Sequence, residues 1–171
     1  MLEIEVKVRV EDLDPVRRRL LGLGAKILKE RHAEENTLYD GRDRHLTGRR
    51  EALRVRKIGR KTFLTFKGAP LKSRRFKIRT EHETEISNGK AFVKILQALG
   101  FVRVFRYTKH RTVLSLGKLK ICLDETAAGR FIEIEGDREK IVRLARTLGF
   151  PQTAWIRRDY IQLLKEVGHE G

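Results

Sequence analysis

Glu3-Ile4-Glu5-Val6-Lys7-Val8-Arg9-Val10 alternates without a break, charged residues on one parity and branched aliphatics on the other. Successive side chains leave a strand on opposite faces, so this period of two predicts a β-strand with one apolar and one charged face. A half-buried strand needs only generic polar residues on its wet side. This one presents two carboxylates, an ammonium and a guanidinium in order. The device returns at Arg79-Thr80-Glu81-His82-Glu83-Thr84-Glu85-Ile86 and at Phe131-Ile132-Glu133-Ile134-Glu135. Three strands carrying Glu-x-Glu on one face predict acids gathered in one place, a natural site for a divalent cation.

The chain's 171 residues predict a single domain over 1–171, and no low-complexity linker divides it. No apolar run approaches the ~18 residues of a membrane span, and the N-terminus enters a strand directly, so a cytoplasmic protein without membrane contact is expected. One cysteine, Cys122, excludes an internal disulfide and a multi-cysteine zinc site. Charged residues reach 36% while thermolabile side chains are scarce, the profile of a hyperthermophile's protein. The net charge of +16 raises the question of nucleic acid. Much of the Lys and Arg alternates with Glu inside strands, however, and aromatics make up only 7%, leaving few rings to stack bases. No specific nucleic-acid partner is expected; a homodimer is left open.

Between and around the Glu-x-Glu strands a pattern repeats three times: strand, helical stretch, Leu-Gly, strand. Asp12 is expected to cap the first helix, Ser87 or Asn88 the second and Asp137 the third, with Gly24, Gly100 and Gly149 closing them. Ala52–Ile58 and Lys61–Lys67 read as a hairpin about Gly59-Arg60, and Val104–Leu116 with Leu119–Asp124 as another about Gly117-Lys118. This makes about seven or eight strands and three or four helices, an α+β fold with a mainly antiparallel sheet.

Parity then sorts the charges. Arg54 and Arg56 share one face; so do Lys77, Arg79, Glu81, Glu83 and Glu85; so do Lys109 and Arg111. Any one such face could simply lie in water. Many together, with three amphipathic helices needing an apolar surface, predict an eight-stranded closed barrel packed outwards against helices and lined by acids and bases. Such a lining suits a metal-bound polyphosphate, whose oxygens accept from Arg and Lys and whose cation takes carboxylate oxygens.

At these residues the chain resembles the CYTH domain family, the triphosphate tunnel metalloenzymes. Glu3-Ile4-Glu5-Val6-Lys7 matches the family's Glu-x-Glu-x-Lys signature. The likeness continues through Leu38-Tyr39-Asp40, Ala52-Leu53-Arg54-Val55-Arg56, Thr65-Phe66-Lys67-Gly68, Arg79-Thr80-Glu81-His82-Glu83, Lys109-His110-Arg111, Leu123-Asp124-Glu125 and Phe131-Ile132-Glu133-Ile134-Glu135. A last echo is Arg158-Asp159-Tyr160, where relatives usually carry Ser before the Tyr, and Ala128-Gly129-Arg130 departs from their Leu-Gly.

The resemblance implies a triphosphate tunnel gripped by Lys7, Arg54, Arg56, Lys67, Arg79, Lys109 and Arg111. Glu3, Glu5, Glu133 and Glu135 would hold or orient Mg²⁺ or Mn²⁺, with Glu81, Glu83 and Asp124 as further candidates, and Glu3, Glu5, Lys7, Arg54 and Arg56 would form the catalytic set. It also implies a divalent-metal-dependent enzyme on a small-molecule triphosphate. The first expectation is a class IV adenylate cyclase, making cyclic AMP and pyrophosphate from ATP. A triphosphatase acting on thiamine triphosphate, tripolyphosphate or nucleotides is the second. A non-catalytic polyphosphate or RNA binder is the rival from another class.

Overall fold

Strict alternation becomes strand here because one parity is covered by helices while the other meets its own kind across a barrel. The computed structural model describes residues 1–169. The elements are β1 (Leu2–Val10), α1 (Asp14–Gly22), β2 (Lys26–Gly41), α2 (His45–Gly48), β3 (Ala52–Ile58), β4 (Lys61–Lys67), β5 (Lys77–Ile86) and α3 (Gly89–Ala98). They continue with β6 (Phe101–Leu116), β7 (Leu119–Thr126), β8 (Gly129–Glu135), α4 (Arg138–Thr147), β9 (Trp155–Ile156) and α5 (Tyr160–Glu166).

The sheet runs β5-β4-β3-β2-β6-β7-β8-β1-β9 with every neighbouring pair antiparallel, and a further pairing of β1 with β5 closes eight strands into a barrel. β1 makes the closure by dividing its length: Leu2–Glu5 pair with β5, and Glu5–Val10 with β8. Both expected hairpins form with two-residue loops, and Gly59 and Gly117 hold φ of 57° and 59°, values that a side chain at either position would strain.

Val6, Ile121, Leu123, Ile132 and Ile134 face outwards and pack with Leu20 of α1 and Ile141, Leu144 and Ala145 of α4. Leu53, Val55 and Leu64 likewise meet Phe92 and Leu96 of α3. The core therefore lies between barrel and helices, and the charged parity is left to the interior. Trp155 packs on Phe76 in the same outer core.

Asn88 and Asp137 cap α3 and α4 as expected, their side chains accepting from Ala91 N and from Glu139 N and Lys140 N. The expected cap at Asp12 is corrected: α1 begins after Leu13, and the Asp12 carboxylate accepts only from the amide of Asp14, at its entry. The element count also exceeds the expectation, at nine strands and five helices among the described residues. The extra pieces are a two-residue β9, the single turn of α2 and the seven-residue α5, all too short to show periodicity. α5 lies across one end of the barrel, where Tyr160, Leu163 and Leu164 pack with Leu38, Phe105, Tyr107 and Phe131.

Ile134 is fully buried between sheet and helix whereas Leu99 is 70% exposed. Ile134→Ala is expected to lose about 2–5 kcal/mol in urea unfolding and Leu99→Ala less than about 0.5 kcal/mol. Equal losses would place the core elsewhere.

Candidate active site

Register decides which charges meet. Across β1 and β8, Lys7 faces Glu133 and Glu5 faces Glu135; across β1 and β5, Glu3 faces Arg79 and Glu5 faces Lys77. Lys67 faces Glu81 across β4 and β5, and Arg111 faces Asp124 across β6 and β7. Opposite charges placed this way sit within reach on one face of the sheet, and here that face is the barrel's interior.

The result is a cavity of about 110 Å³ lined by nine cationic side chains and seven carboxylates. Glu3, Glu5, Lys7, Arg54, Arg56, Lys67, Arg79, Glu81, Glu83, Lys109, Arg111, Glu133 and Glu135, all named from the sequence, line it. Lys77, Lys120 and Asp159 line it as well. Parity marks the first two in the sequence: Lys77 stands two residues before Arg79, and Lys120 two before Cys122 and four before Asp124.

Asp124 does not line the cavity. Fully buried behind it, its carboxylate accepts from the Arg111 guanidinium, from Lys109 Nζ at 3.2 Å and from the Tyr160 hydroxyl at 2.6 Å. The side chain thus aims two cavity cations rather than facing a ligand itself. Glu85 lies outside too, paired with Lys61 at 3.0 Å on the exposed strand end.

A second acid stands behind the wall, unmarked in the sequence. Glu34 is 1% exposed, with Oε1 3.4 Å from Arg56 and 3.3 Å from His32, and Oε2 3.7 Å from Lys109. The register is continuous from His32 to Leu38 and sets Glu34 opposite Lys109, but the sequence there, Ala33-Glu34-Glu35-Asn36-Thr37, has no aliphatic alternation to separate Glu34 from its exposed neighbour Glu35, which pairs with Arg106. With Glu34 and Asp124 included, the interior holds nine cations and nine carboxylates.

Pairing is dense. Lys67 Nζ lies 2.8 Å from Glu3 and 2.7 Å from Glu81, Lys77 lies 3.1 Å from Glu5, and Lys120 lies 2.9 Å from Glu135. Arg56 binds Glu83 through both carboxylate oxygens at 2.9 Å, and the buried Thr65 hydroxyl donates to Glu83 at 2.6 Å while accepting from Arg54. Glu133 takes Lys7 at 3.3 Å and the Arg111 guanidinium. Arg79 is held instead by the carbonyls of Gly68 and Arg50.

Burial and pairing compete in the charge states. Burial alone would raise Glu133; Arg111, Lys7 and Lys109 outweigh it and hold the carboxyl well below its ordinary range. Burial lowers Lys7, an effect that Glu133 partly reverses. That ammonium also sits 3.8 Å from the Tyr160 ring centroid and donates to the Arg158 carbonyl at 3.1 Å. Burial, with Glu133 and Asp124, pushes the Tyr160 hydroxyl far up, so it remains a donor. Cys122, pushed up to about 11 mainly by burial, is an inert thiol.

Among the described residues, no three His, Cys, Asp or Glu converge as a ready-made cage. The donors nevertheless fit a hard divalent cation. Glu5 and Glu135 stand directly opposite each other, a repulsive pair that only a cation can relieve, and Glu3 continues the same face of β1. Lys77 and Lys120 supply that relief in the structure.

Burial would raise Glu34, but Lys109, Arg111 and Arg56 bring its carboxyl down to about 2 from an ordinary 4.5. A depressed folded pKa stabilises the protein above the unfolded value, and that contribution is lost as pH falls through the folded one. Stability is therefore expected to fall between about pH 4.5 and 2, and Glu34→Gln to show a shallower fall in that window by urea titration. An unchanged slope would remove Glu34 from the paired interior.

Known proteins share this architecture. The sequence profile of the CYTH domain matches residues 1–149. A Methanocaldococcus jannaschii protein named "putative adenylate cyclase" is 28% identical over 95% of this chain and 98% of its own. The PH1012 protein of Pyrococcus horikoshii OT3 superposes with a TM-score of 0.80 at 27% identity, covering 94% of this chain and 98% of that one. A Hippeastrum protein described as a "putative adenylyl cyclase" with a dominant triphosphatase activity shares the fold at a TM-score of 0.69 and 19% identity, over 96% of each chain. With the profile running from β1 through α4 and the signature charges gathered in one tunnel, this chain belongs to the CYTH domain family.

Proposed function

We propose that this protein is a metal-dependent enzyme that draws the triphosphate of its substrate into the barrel and reacts it there. The observation that carries the reading is the interior of nine cations and nine carboxylates, two of the acids standing behind the wall. A charge-balanced, densely paired interior has no use as a packing core, where apolar side chains of the same volume would serve as well or better. It suits a ligand bringing both signs, a polyanion together with its cation.

Lys7, Arg54, Arg56, Lys67, Lys109 and Arg111 would bind the phosphate oxygens. Asp124 fixes the Arg111 fork and Lys109, while Glu34 and Glu83 fix Arg56. Glu3, Glu5, Glu133 and Glu135 would hold Mg²⁺ or Mn²⁺, with Glu81 and Glu83 at the same wall. Once bound, the cation lowers the pKa of an attacking oxygen and neutralises charge developing at phosphorus. The side chains' share is to grip, align and exclude water from the chain of phosphates. The Tyr160 hydroxyl is committed to Asp124 as a donor, which leaves it no part as a base.

Cyclisation of ATP to cyclic AMP and pyrophosphate is the first reading, supported by the name of the M. jannaschii relative. Hydrolysis of a triphosphate is the second. It is favoured by the tunnel wall itself, where Tyr107 and Tyr160 are buried, leaving no open ring for an adenine. Chromatography of products from ATP, tripolyphosphate and thiamine triphosphate separates the two. Cyclic AMP with pyrophosphate marks a cyclase, and orthophosphate marks a hydrolase.

Turnover is expected to require Mg²⁺ or Mn²⁺ and to vanish with excess chelator; undiminished turnover at verified zero metal refutes the metalloenzyme. Glu5→Gln is expected to lower kcat by about two orders of magnitude or more with the circular dichroism unchanged, whereas Arg56→Ala acts chiefly on KM. Wild-type kinetics in both variants would show that these faces do not line the working site.

A further inference from the structure

A second, much larger space adjoins the tunnel. This vestibule of about 980 Å³ shares Leu38, Ala52, Lys77, Arg79, Asp159 and Ile161 with the tunnel wall. Its walls come from the loop around α2, the 70–74 segment before β5, and the stretch from Arg157 into α5.

Its charge is one-sided. Nine cationic side chains line it against two carboxylates, Glu51 and Asp159. Among the described residues Arg44, Arg50, Lys72, Arg74 and Arg157 have no carboxylate within 4.0 Å. Some exposed cations on other faces do stand beside acids, as in Arg17–Glu30, Lys61–Glu85 and Arg106–Glu35. A concave surface of one sign focuses its field and concentrates counter-ions of the other.

Two of these arginines are held in place at a conformational cost. Arg44 and Arg50, with φ of 58° and 61°, are the non-glycine residues of positive φ among the described residues. Such backbone persists where surrounding structure over-determines it and is concentrated at ligand sites. Here the buried Asp40 fixes the loop, its carboxylate accepting from the amides of Gly41, Leu46 and Thr47 and from the Thr47 hydroxyl. Arg50 is tied to the tunnel as well, its carbonyl accepting from Arg79 at 2.5 Å.

What fits is more negative charge, without a base. Phe76 and Phe105 are the aromatic residues of the vestibule wall, and they are only 8% and 3% exposed, so neither offers a face for stacking. We propose that the vestibule is a subsite for the phosphates of a linear inorganic polyphosphate beyond the three held in the tunnel. The protein then prefers such chains to tripolyphosphate. This rests on the tunnel's binding a triphosphate, as proposed above.

Calorimetric titration of the full chain tests it, with Mg²⁺ at constant ionic strength, using tripolyphosphate and linear pentaphosphate whose lengths are verified afterwards. Pentaphosphate is expected to bind about tenfold or more tightly, since several exposed charge contacts of modest individual strength add. In the triple variant Arg44→Gln, Lys72→Gln, Arg74→Gln that preference is expected to disappear, with tripolyphosphate affinity held within about twofold because the tunnel is untouched. Equal affinities in the wild type, or a preference surviving in the variant, overturn the subsite while leaving the tunnel reading in place. Loss of ATP or 5′-triphosphorylated RNA affinity as large as that of pentaphosphate overturns it in favour of an organic occupant. Absence of any tripolyphosphate binding overturns the tunnel reading and the subsite with it.

Discussion

No charge inside this barrel can stand alone. Moving a carboxylate or ammonium out of water costs several kcal/mol, and removing one member of a buried pair typically costs about 3–5 kcal/mol because the other is left orphaned. Lys7 and Lys109 are each 2% exposed and Asp124 is completely enclosed, so this constraint acts at full strength. Each strand's register is consequently fixed twice. Outside, a one-residue slip would turn Ile132 and Ile134 away from α4; inside, it would separate Lys7 from Glu133 and Arg111 from Asp124.

β1 bears more of this load than any other strand. It closes the barrel between β5 and β8, lays Val6 under the helices, and puts Glu3, Glu5 and Lys7 into the cavity. The C-terminal segment locks the arrangement from 151 residues away, with the Arg158 carbonyl on Lys7 and the Tyr160 ring beneath it. Asp159, where relatives usually carry Ser, makes a complete capping box with Gln162 at the start of α5. Asp and Ser both cap well, so the departure preserves the helix start and adds a negative charge near Lys77 and Arg79.

The inverted barrel was legible because parity needs no partner to be read. Glu3-Ile4-Glu5-Val6-Lys7, Arg54-Val55-Arg56 and Glu133-Ile134-Glu135 each declare two faces, and the helices' need for an apolar surface assigns which face is inner. Glu34 was hidden since Ala33-Glu34-Glu35-Asn36-Thr37 puts two acids side by side with no aliphatic parity to mark the inward one, although one is buried against Arg56 and the other meets solvent. Asp124 has the inward parity yet lies behind the wall, because Arg111, Lys109 and Tyr160 all claim its oxygens. Depth behind a wall is a three-dimensional property that no spacing rule carries. The vestibule was missed for the same reason, as its cations come from loops and one short helix with no shared periodicity.

The balance of the interior also says what it would refuse. A bare anion drawing Lys67 and Arg111 towards itself would strip partners from Glu3, Glu81 and Glu133, leaving carboxylates uncompensated in a low-dielectric space. A bare cation taken by those acids would orphan the ammonium and guanidinium groups instead. Only a polyanion arriving with its own cation lets both sets exchange partners together, and then no buried charge is left alone. In the function proposed here, the ion pairs of the tunnel are thus the reference state against which binding is measured. They hold the side chains in place until the exchange and penalise a ligand of either sign that comes without the other.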